Sequence, residues 1–374
     1  MLVLHVITGL TDGGAESVLF RLCVADTRNR HLVISLRDLG KYGEILRTLG
    51  VVVHCLEMDK GKIRLSDLWK LGKLIRSHRP DLVQTWLYHA DFIGGIVARI
   101  VGIRRVYWGL RSTNLFADET NRSTRIVIKL NALLSFLVPK KIISCSVKGV
   151  EVHQLFGYRK DKFSVVPNGY DLHQFAPDAE AGHTLRLSLE IPDGIPLLGM
   201  VARFDPQKDH LNLIKALGLL KQSGHSFFCV LIGSGMNEYN IELLAWLDLY
   251  GVRERVYLLG QRNDVPVVMN MLDLHILPSA FGEAFPNVLC EAMSCGTPCI
   301  ATDVGDSALI IGETGWVVPI NTPLDLSRSI SFAMDEKQKN PDAWALRKSN
   351  ARQRILERFS IEKMVENYHL VWES

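Results

Sequence analysis

The chain has 374 residues, 47% apolar and 22% charged, with a net charge of +3. At roughly 150 residues per domain this suggests two domains, and the composition is that of an ordinary globular enzyme, not of a disordered or fibrous chain. Seven cysteines, an odd number with no Cys-x-x-Cys, signal neither a disulfide framework nor a zinc site. Reduced thiols fit a cytoplasmic compartment. The net charge hides an asymmetry: residues 1–175 carry 26 Lys+Arg against 15 Asp+Glu, and residues 176–374 carry 17 against 25. A basic half and an acidic half suggest different partners. Nucleic acid is not expected, because no recognised module appears and the second half is acidic.

The first residues, Met1 to Ile7, read as a strand and not as a signal peptide. No apolar run reaches the ~20 residues needed to span a bilayer. A glycine loop, Gly9 to Gly14, follows this strand, and residues 17–24 then show helical spacing. Further strands are expected at 31–36, 51–56, 81–85, 105–109, 141–145 and 163–166, with helices at 41–49, 66–77 and 93–101 between them. Residues 175–193 contain Pro177, Gly182 and Pro192, are followed by Gly194, and alternate poorly, so they read as a hinge. The pattern then restarts, with strands at 196–201, 226–232, 256–259, 274–277 and 298–302 and helices at 211–222, 240–250 and 266–271. Strands alternating with helices predict two parallel, doubly wound sheets. Residues 340–374 read as helical, with Ile361, Met364, Val365 and Tyr368 on one face, and could cross back to the first domain.

The densest motif is the stretch 281–296, a loop feeding a helix. Pro286 suits the first helical position, and Gly296 can close the helix. The amides of Asn287, Val288 and Leu289, free at a helix start, form a phosphate site. Glu283 and Glu291 bracket it. Either could be an ordinary charge, but Glu291 sits in apolar company, where an acid usually has a hydrogen-bonding task. Arg203 and Lys208 follow a second-domain strand, where ligands bind in parallel sheets, and two cations can clamp a diphosphate. The alternative is a solvated loop capped by Asp209. Gly233 and the Gly260-Gln261-Arg262 turn could offer backbone to a base or phosphate, or be plain turns. Gly13 and Gly14 let amides approach an anion, yet the loop is neither a Gly-x-Gly-x-x-Gly nor a Walker motif. His89 follows a first-domain strand, and a structural role is equally open. The stretch Arg99 to Lys141 has basic flanks around the apolar run 126–138. It is compatible with a peripheral contact on an anionic membrane, or with a core helix whose ends are solvated.

In combination, the spacing Glu283-x7-Glu291, the Arg203-Phe-x5-His210 stretch, Gly13-Gly14-Ala15-Glu16 and Pro167-Asn168-Gly169-x-Asp171 resemble glycosyltransferase family 4 in the right order along the whole chain. The resemblance implies the GT-B fold: two Rossmann-like domains facing across a cleft, an acceptor domain at 1–175 with the C-terminal helix near 356–374, and a nucleotide-sugar domain at 176–355. It implies retaining transfer with no cofactor and no obligate metal, from a nucleotide-diphosphate sugar, preferentially a UDP-sugar, to a glycan or lipid-linked acceptor in surface polysaccharide assembly. Arg203 and Lys208 would bind the diphosphate and Glu291 the ribose. Glu283 would face the donor sugar. The amides after Phe285 would meet the distal phosphate or the sugar, and Gly13 and Gly14 would close over the same group. Gly233, Gln261 and Arg262 would contact the base. His89 and, more weakly, Arg111 would serve the acceptor. No Asp-x-Asp occurs, so the usual metal-clamping signature is missing. A nucleotide-sugar epimerase on the same fold and a non-catalytic nucleotide-sugar-binding module remain competing readings.

Overall fold

The computed structural model describes residues 1–11, 13–113, 115 and 122–374; Asp12, in the first glycine loop, lies outside the described residues. The chain forms two compact units, Met1–Gly169 with Ile361–Ser374, and Tyr170–Ser360.

The first unit runs β1 (Leu2–Ile7), α1 (Gly14–Ala25), β2 (Arg30–Ser35), α2 (Gly40–Thr48), β3 (Val52–Cys55), α3 (Leu65–His78) and β4 (Leu82–Trp86). It continues with α4 (Tyr88–Ile100), β5 (Val106–Leu110), α5 (Arg122–Leu134), β6 (Lys141–Ser144), α6 (Val147–Leu155) and β7 (Phe163–Val165). Its sheet has seven parallel strands in the order β3-β2-β1-β4-β5-β6-β7. Strand alternation divides β1 between two cores. Leu4 and Val6 face α3, α4 and α5, while Val3 and Ile7 face α1 and the residues Tyr368 and Trp372 of the C-terminal helix.

The second unit runs α7 (Ala179–Ser188), β8 (Leu197–Val201), α8 (His210–Gln222), β9 (Phe228–Ile232), α9 (Ile241–Leu249), β10 (Val256–Gly260), α10 (Val265–Met271) and β11 (Leu274–Leu277). Then come α11 (Asn287–Ser294), β12 (Cys299–Thr302), α12 (Ser307–Ile311), β13 (Trp316–Val318), α13 (Pro323–Lys339) and α14 (Pro341–Arg358). Its sheet is also parallel, with six strands in the order β10-β9-β8-β11-β12-β13. The last helix, α15 (Ile361–Glu373), returns to the first unit and packs on α1.

The strand expectations hold to within a residue or two, because strands buried on both faces read as continuous apolar runs. The hinge assigned to 175–193 is corrected. Residues 179–188 form a helix, started by Asp178, whose carboxylate accepts the Ala181 N–H at 2.9 Å. The glycine that suggested a breaker, Gly182, is there for close approach: a Cβ would lie 2.5 Å from the Asn270 carbonyl of α10. Pro286 is also corrected. It is the N-cap of α11, with φ −69° and ψ 102°, not its first helical residue. Helix α4 starts at Tyr88, earlier than expected, so His89 lies on a helix. Helix α6 and the three-residue β13 carried no legible signal.

Each sheet has one point where strand order reverses, between β1 and β4 in the first unit and between β8 and β11 in the second. The carboxyl ends of those strands are where open parallel sheets bind ligands. Gly9–Gly14 follow β1, His89 follows β4, Arg203 and Lys208 follow β8, and Glu283 follows β11.

Candidate active site

In the second unit the loop after β8 is folded by its own carboxylates. Asp205 accepts the Gln207 N–H and the Arg203 Nε–H, both at 2.9 Å, and so starts a single 3-10 turn over Pro206–Lys208. Burial raises the Asp205 carboxyl, but those hydrogen bonds and the Arg203 and Lys208 charges win and hold it below its ordinary range. Asp209 then takes a left-handed conformation, φ 48°, and caps α8 through the Asn212 N–H. This turn leaves Arg203 exposed and sends Lys208 inward, where its Nζ meets Glu283 Oε1 at 2.5 Å.

Glu283 is buried. The Ser279 hydroxyl donates to the same oxygen at 2.8 Å, and the Ser279 carbonyl in turn accepts the Thr302 hydroxyl at 2.5 Å. The Ala280 N–H bonds the Gln207 carbonyl at 2.9 Å, so the loops after β8 and β11 are tied together. Behind Lys208 lie two neutral imidazoles. Burial first, and the Lys208 charge second, lower His210 to about 4 and His275 to about 3. His275 accepts the Val201 N–H at 3.4 Å on Nε2.

The start of α11 follows directly. Phe285 is buried edge-on against Phe359 with centroids 5.3 Å apart, and Asn287 Oδ1 accepts the Tyr170 hydroxyl at 2.5 Å. Of the three amides expected to be free, Leu289 is not, since its N–H reaches the Pro286 carbonyl at 3.2 Å. Glu291 sits half-buried one turn along. The loop holding Glu283 is set by a residue the sequence did not flag. Gly305, at φ 61°, lies so close that a Cβ would overlap the Glu283 carbonyl oxygen, and the next residue, Asp306, donates its N–H to the Ala284 carbonyl at 3.0 Å. Ser279, Tyr170 and Gly305 were all missed, because only tertiary proximity gives them a role.

The loops after β8, β9 and β10 are knitted by backbone. The Gly233 N–H bonds the Gly260 carbonyl, the Gly260 N–H the Met236 carbonyl, and the Phe204 N–H the Ser234 carbonyl, each at 2.8 Å. A side chain at Gly233 would overlap the Ala202 carbonyl. Arg262 forks onto Asp264 at 2.8 and 2.5 Å, whereas Gln261 is exposed. Arg203, Lys208, Glu283 and the start of α11 thus come together, and Gly233, Gln261 and Arg262 lie on neighbouring loops of the same sheet edge.

In the first unit Gly13 is the N-cap of α1, and a Cβ there would overlap the Glu16 carboxylate; Gly14 opens the helix. His89 is the second residue of α4. It follows Leu87, whose φ of 73° is strained for a side chain of that size. Burial and then the Arg37 charge lower the His89 pKa. Arg111 is heavily engaged. It donates to Asn168 Oδ1 at 2.7 Å and to the Tyr368 hydroxyl, and stacks over Trp86 at 4.5 Å.

Beneath Trp86 lies a buried cluster that sequence spacing did not reveal: His5, Cys23 and His31, with Asp26 beside them. Trp86 Nε1–H can only donate, and it faces His5 Nδ1 at 3.1 Å. The His5 proton is therefore on Nε2, which donates to His31 Nδ1 at 2.9 Å. A metal ion would need those same nitrogens, so the donor set reads as a hydrogen-bonded relay, not a metal centre.

Residues 12–174 match the model of Glycosyltransferase Family 4, and residues 183–353 match that of Glycosyl transferases group 1. The chain is 28% identical over 313 residues (81% of this chain, 77% of the relative) to an Escherichia coli protein named UDP-Gal:alpha-D-GlcNAc-diphosphoundecaprenol alpha-1,3-galactosyltransferase. It is 24% identical (88% of this chain, 89% of the relative) to an N,N'-diacetylbacillosaminyl-diphospho-undecaprenol alpha-1,3-N-acetylgalactosaminyltransferase of Campylobacter jejuni. Among solved structures it superposes on Anabaena HepE in complex with UDP with a TM-score of 0.86, at 22% identity and 100% coverage of both chains. That likeness shows the fold, GT-B. The chain belongs to the family 4, group 1 glycosyltransferases, with the Family 4 match on its first unit and the group 1 match within its second.

Proposed function

We propose that this enzyme transfers a sugar, with retention and without a metal, from a UDP-sugar to a diphosphate-linked lipid acceptor in surface polysaccharide assembly, at the inner face of the cell membrane. The observation that carries the reading is the Lys208–Glu283 pair at the strand-order reversal of the second sheet, one turn from the start of α11. Two relatives named for diphosphoundecaprenol acceptors, one of them also for UDP-Gal, and a fold neighbour solved with UDP support the choice of substrates.

The chemistry follows from charge. Cleaving the sugar–phosphate bond builds negative charge on the leaving diphosphate. Arg203 is exposed and forked, and Lys208 has three N–H donors of which Glu283 uses one, so both can meet that charge. The helix start of α11 adds its positive end. Preorganised cations and dipoles of this kind are what stabilise such a transition state. Positive charge grows on the sugar, where the Glu283 carboxylate, fixed by Ser279 and Lys208, offsets it. The leaving phosphate takes the acceptor's proton as the new bond forms on the same face. Glu291 binds the ribose, and Gly233, Gln261 and Arg262 frame the base. In the first unit, Gly13 and Gly14 offer backbone amides to an anionic group, and His89 and Arg111 serve the acceptor.

The test is UDP release and product formation with a diphosphate-linked acceptor, with the anomeric configuration read by NMR and a chelator added in a parallel arm. Lys208→Met and Glu283→Gln should each lower turnover by at least ~100-fold, as removing one preorganised charge does. Full turnover in both variants refutes the assignment. An inverted product removes retention, and loss of activity on chelation removes metal independence. Conversion of the nucleotide sugar without acceptor would instead indicate an epimerase.

A further inference from the structure

Helices α3, α4 and α5 form one layer on the first sheet, α3 against α4 and α4 against α5, with their inner stripes in a common core. The outer surface of this layer is unusual in two independent ways. It leaves large apolar side chains in water: Leu65 is 85% exposed, Trp69 66%, Ile100 77% and Leu133 70%. It also shows charges of one sign. Lys70, Lys73 and Arg76 on α3, Arg99 on α4, and Arg122 and Lys129 on α5 are exposed, whereas the helices' carboxylates, Asp67 and Asp91, are buried. A helix made for water pairs its exposed cations, as Lys339 pairs with Asp335 on α13 and Lys363 with Glu366 on α15. Here the three helices supply no exposed acid for such pairs.

Between α3 and α4 runs a groove of about 670 Å³, walled by Leu68, Trp69, Phe92, Ile96 and Ile100. Lys73 and Arg76 stand at its edge, and the Lys73 ammonium lies over the Trp69 ring at 5.2 Å. A half-exposed tryptophan beside lysines is the side-chain set found at the boundary between headgroups and acyl chains. No helix among the described residues is long and apolar enough to cross a membrane.

We infer that the α3–α4–α5 layer is a docking face for an anionic lipid bilayer: Leu65, Trp69, Ile100 and Leu133 enter the acyl boundary, and the exposed lysines and arginines meet the headgroup phosphates. Charge complementarity selects this occupant. A protein partner of ordinary composition would leave these cations unpaired, whereas an anionic bilayer pairs all of them at once. The inference draws its purpose from the lipid-linked acceptor proposed above, but its evidence is the surface alone.

Full-length protein should co-sediment with vesicles of phosphatidylcholine plus phosphatidylglycerol, far less with phosphatidylcholine alone, and less as salt is raised. Lys73→Glu/Arg76→Glu and Trp69→Ser/Ile100→Ser should each reduce partitioning by at least ~10-fold. All four side chains are exposed on the surface, so both variants should melt with the parent protein and turn over a short, water-soluble diphosphate acceptor at the parent rate. Failure of the parent to bind anionic vesicles, or parent-like binding by both variants, overturns the inference. So does self-association of the parent that the same substitutions abolish, which would make the face a protein interface. Vesicle binding stands or falls separately from the Lys208 and Glu283 result, so the two readings fail distinguishably.

Discussion

Gly305 shows how a residue with no side chain can govern one that carries chemistry. Its left-handed backbone and missing Cβ let the chain pass against the Glu283 carbonyl. Gly305→Ala should cost about 1–3 kcal/mol in backbone strain and displace the Glu283 loop. A displacement near 1 Å at a reacting group lowers turnover on the order of 100-fold. We expect a modest fall in melting temperature and a large fall in kcat; unchanged values of both would show that the loop does not depend on Gly305. Protonation acts at the same scale. His5, His153, His210 and His275 are all held neutral, chiefly by burial, with His153 and His210 near 4 and His275 near 3. The unfolded chain takes up these protons near 6.5. Between about pH 6.5 and 4 it therefore binds more protons than the fold, and stability falls as pH falls. Asp91 acts in the opposite sense: burial raises it to about 8, so its share of stability is lost as pH rises towards that value. Burial also lowers His54 and His89 and raises Asp209. The imidazoles outnumber the two raised carboxyls, which predicts lower denaturant-unfolding stability at pH 5 than at pH 7; a flat profile, or higher stability at pH 5, would contradict it.

The C-terminal helix α15 is the element whose docking is most heavily determined. Trp372 is fully buried, its indole N–H donates to Gln84 Oε1 at 3.2 Å, and its carbonyl accepts from Tyr107 at 3.0 Å and Arg105 at 2.6 Å. His369 meets Asp26 at 2.9 Å, and Arg28 meets Glu373 at 3.1 Å. Trp372→Ala should cost about 3–5 kcal/mol, and leaving Gln84 without its donor adds to this. Chemical denaturation measures it; a loss below ~1 kcal/mol would mean the helix contributes little to the core. The face of α15 was legible because Met364, Val365 and Tyr368 keep helical spacing. Its anchors were not, since Gln84, Tyr107 and Asp26 lie hundreds of residues away in the chain. Helix α7 was missed for the opposite reason: its Gly182 and flanking Pro177 look like breakers until the Asn270 backbone is placed beside them.

For the whole molecule, the alternation of apolar runs and helical segments was enough to read two parallel α/β domains, because parallel strands buried on both faces leave a strong trace. The chemistry-bearing residues were legible where spacing is local, as in Glu283 and Glu291, or Arg203 and Lys208. What spacing could not convey is which loops meet: that Lys208 grips Glu283, that Arg262 spends itself on Asp264, or that Arg111 is tied to Asn168 and Tyr368. The excess of cations in the first half was visible as a number. Only the helix layer shows that those of α3 to α5 share one outer surface with exposed apolar side chains.

The first unit is built from both ends of the chain, with 191 residues of the second unit between its parts. Synthesis at about 5–20 residues per second therefore separates Gly169 from Ile361 by roughly 10–40 s. For that interval the ribosome holds a seven-stranded sheet whose Trp86 and Tyr107 lack the helix that covers them. The domain begun first is therefore completed only after the second has been made, when α15 covers Trp86 and Tyr107.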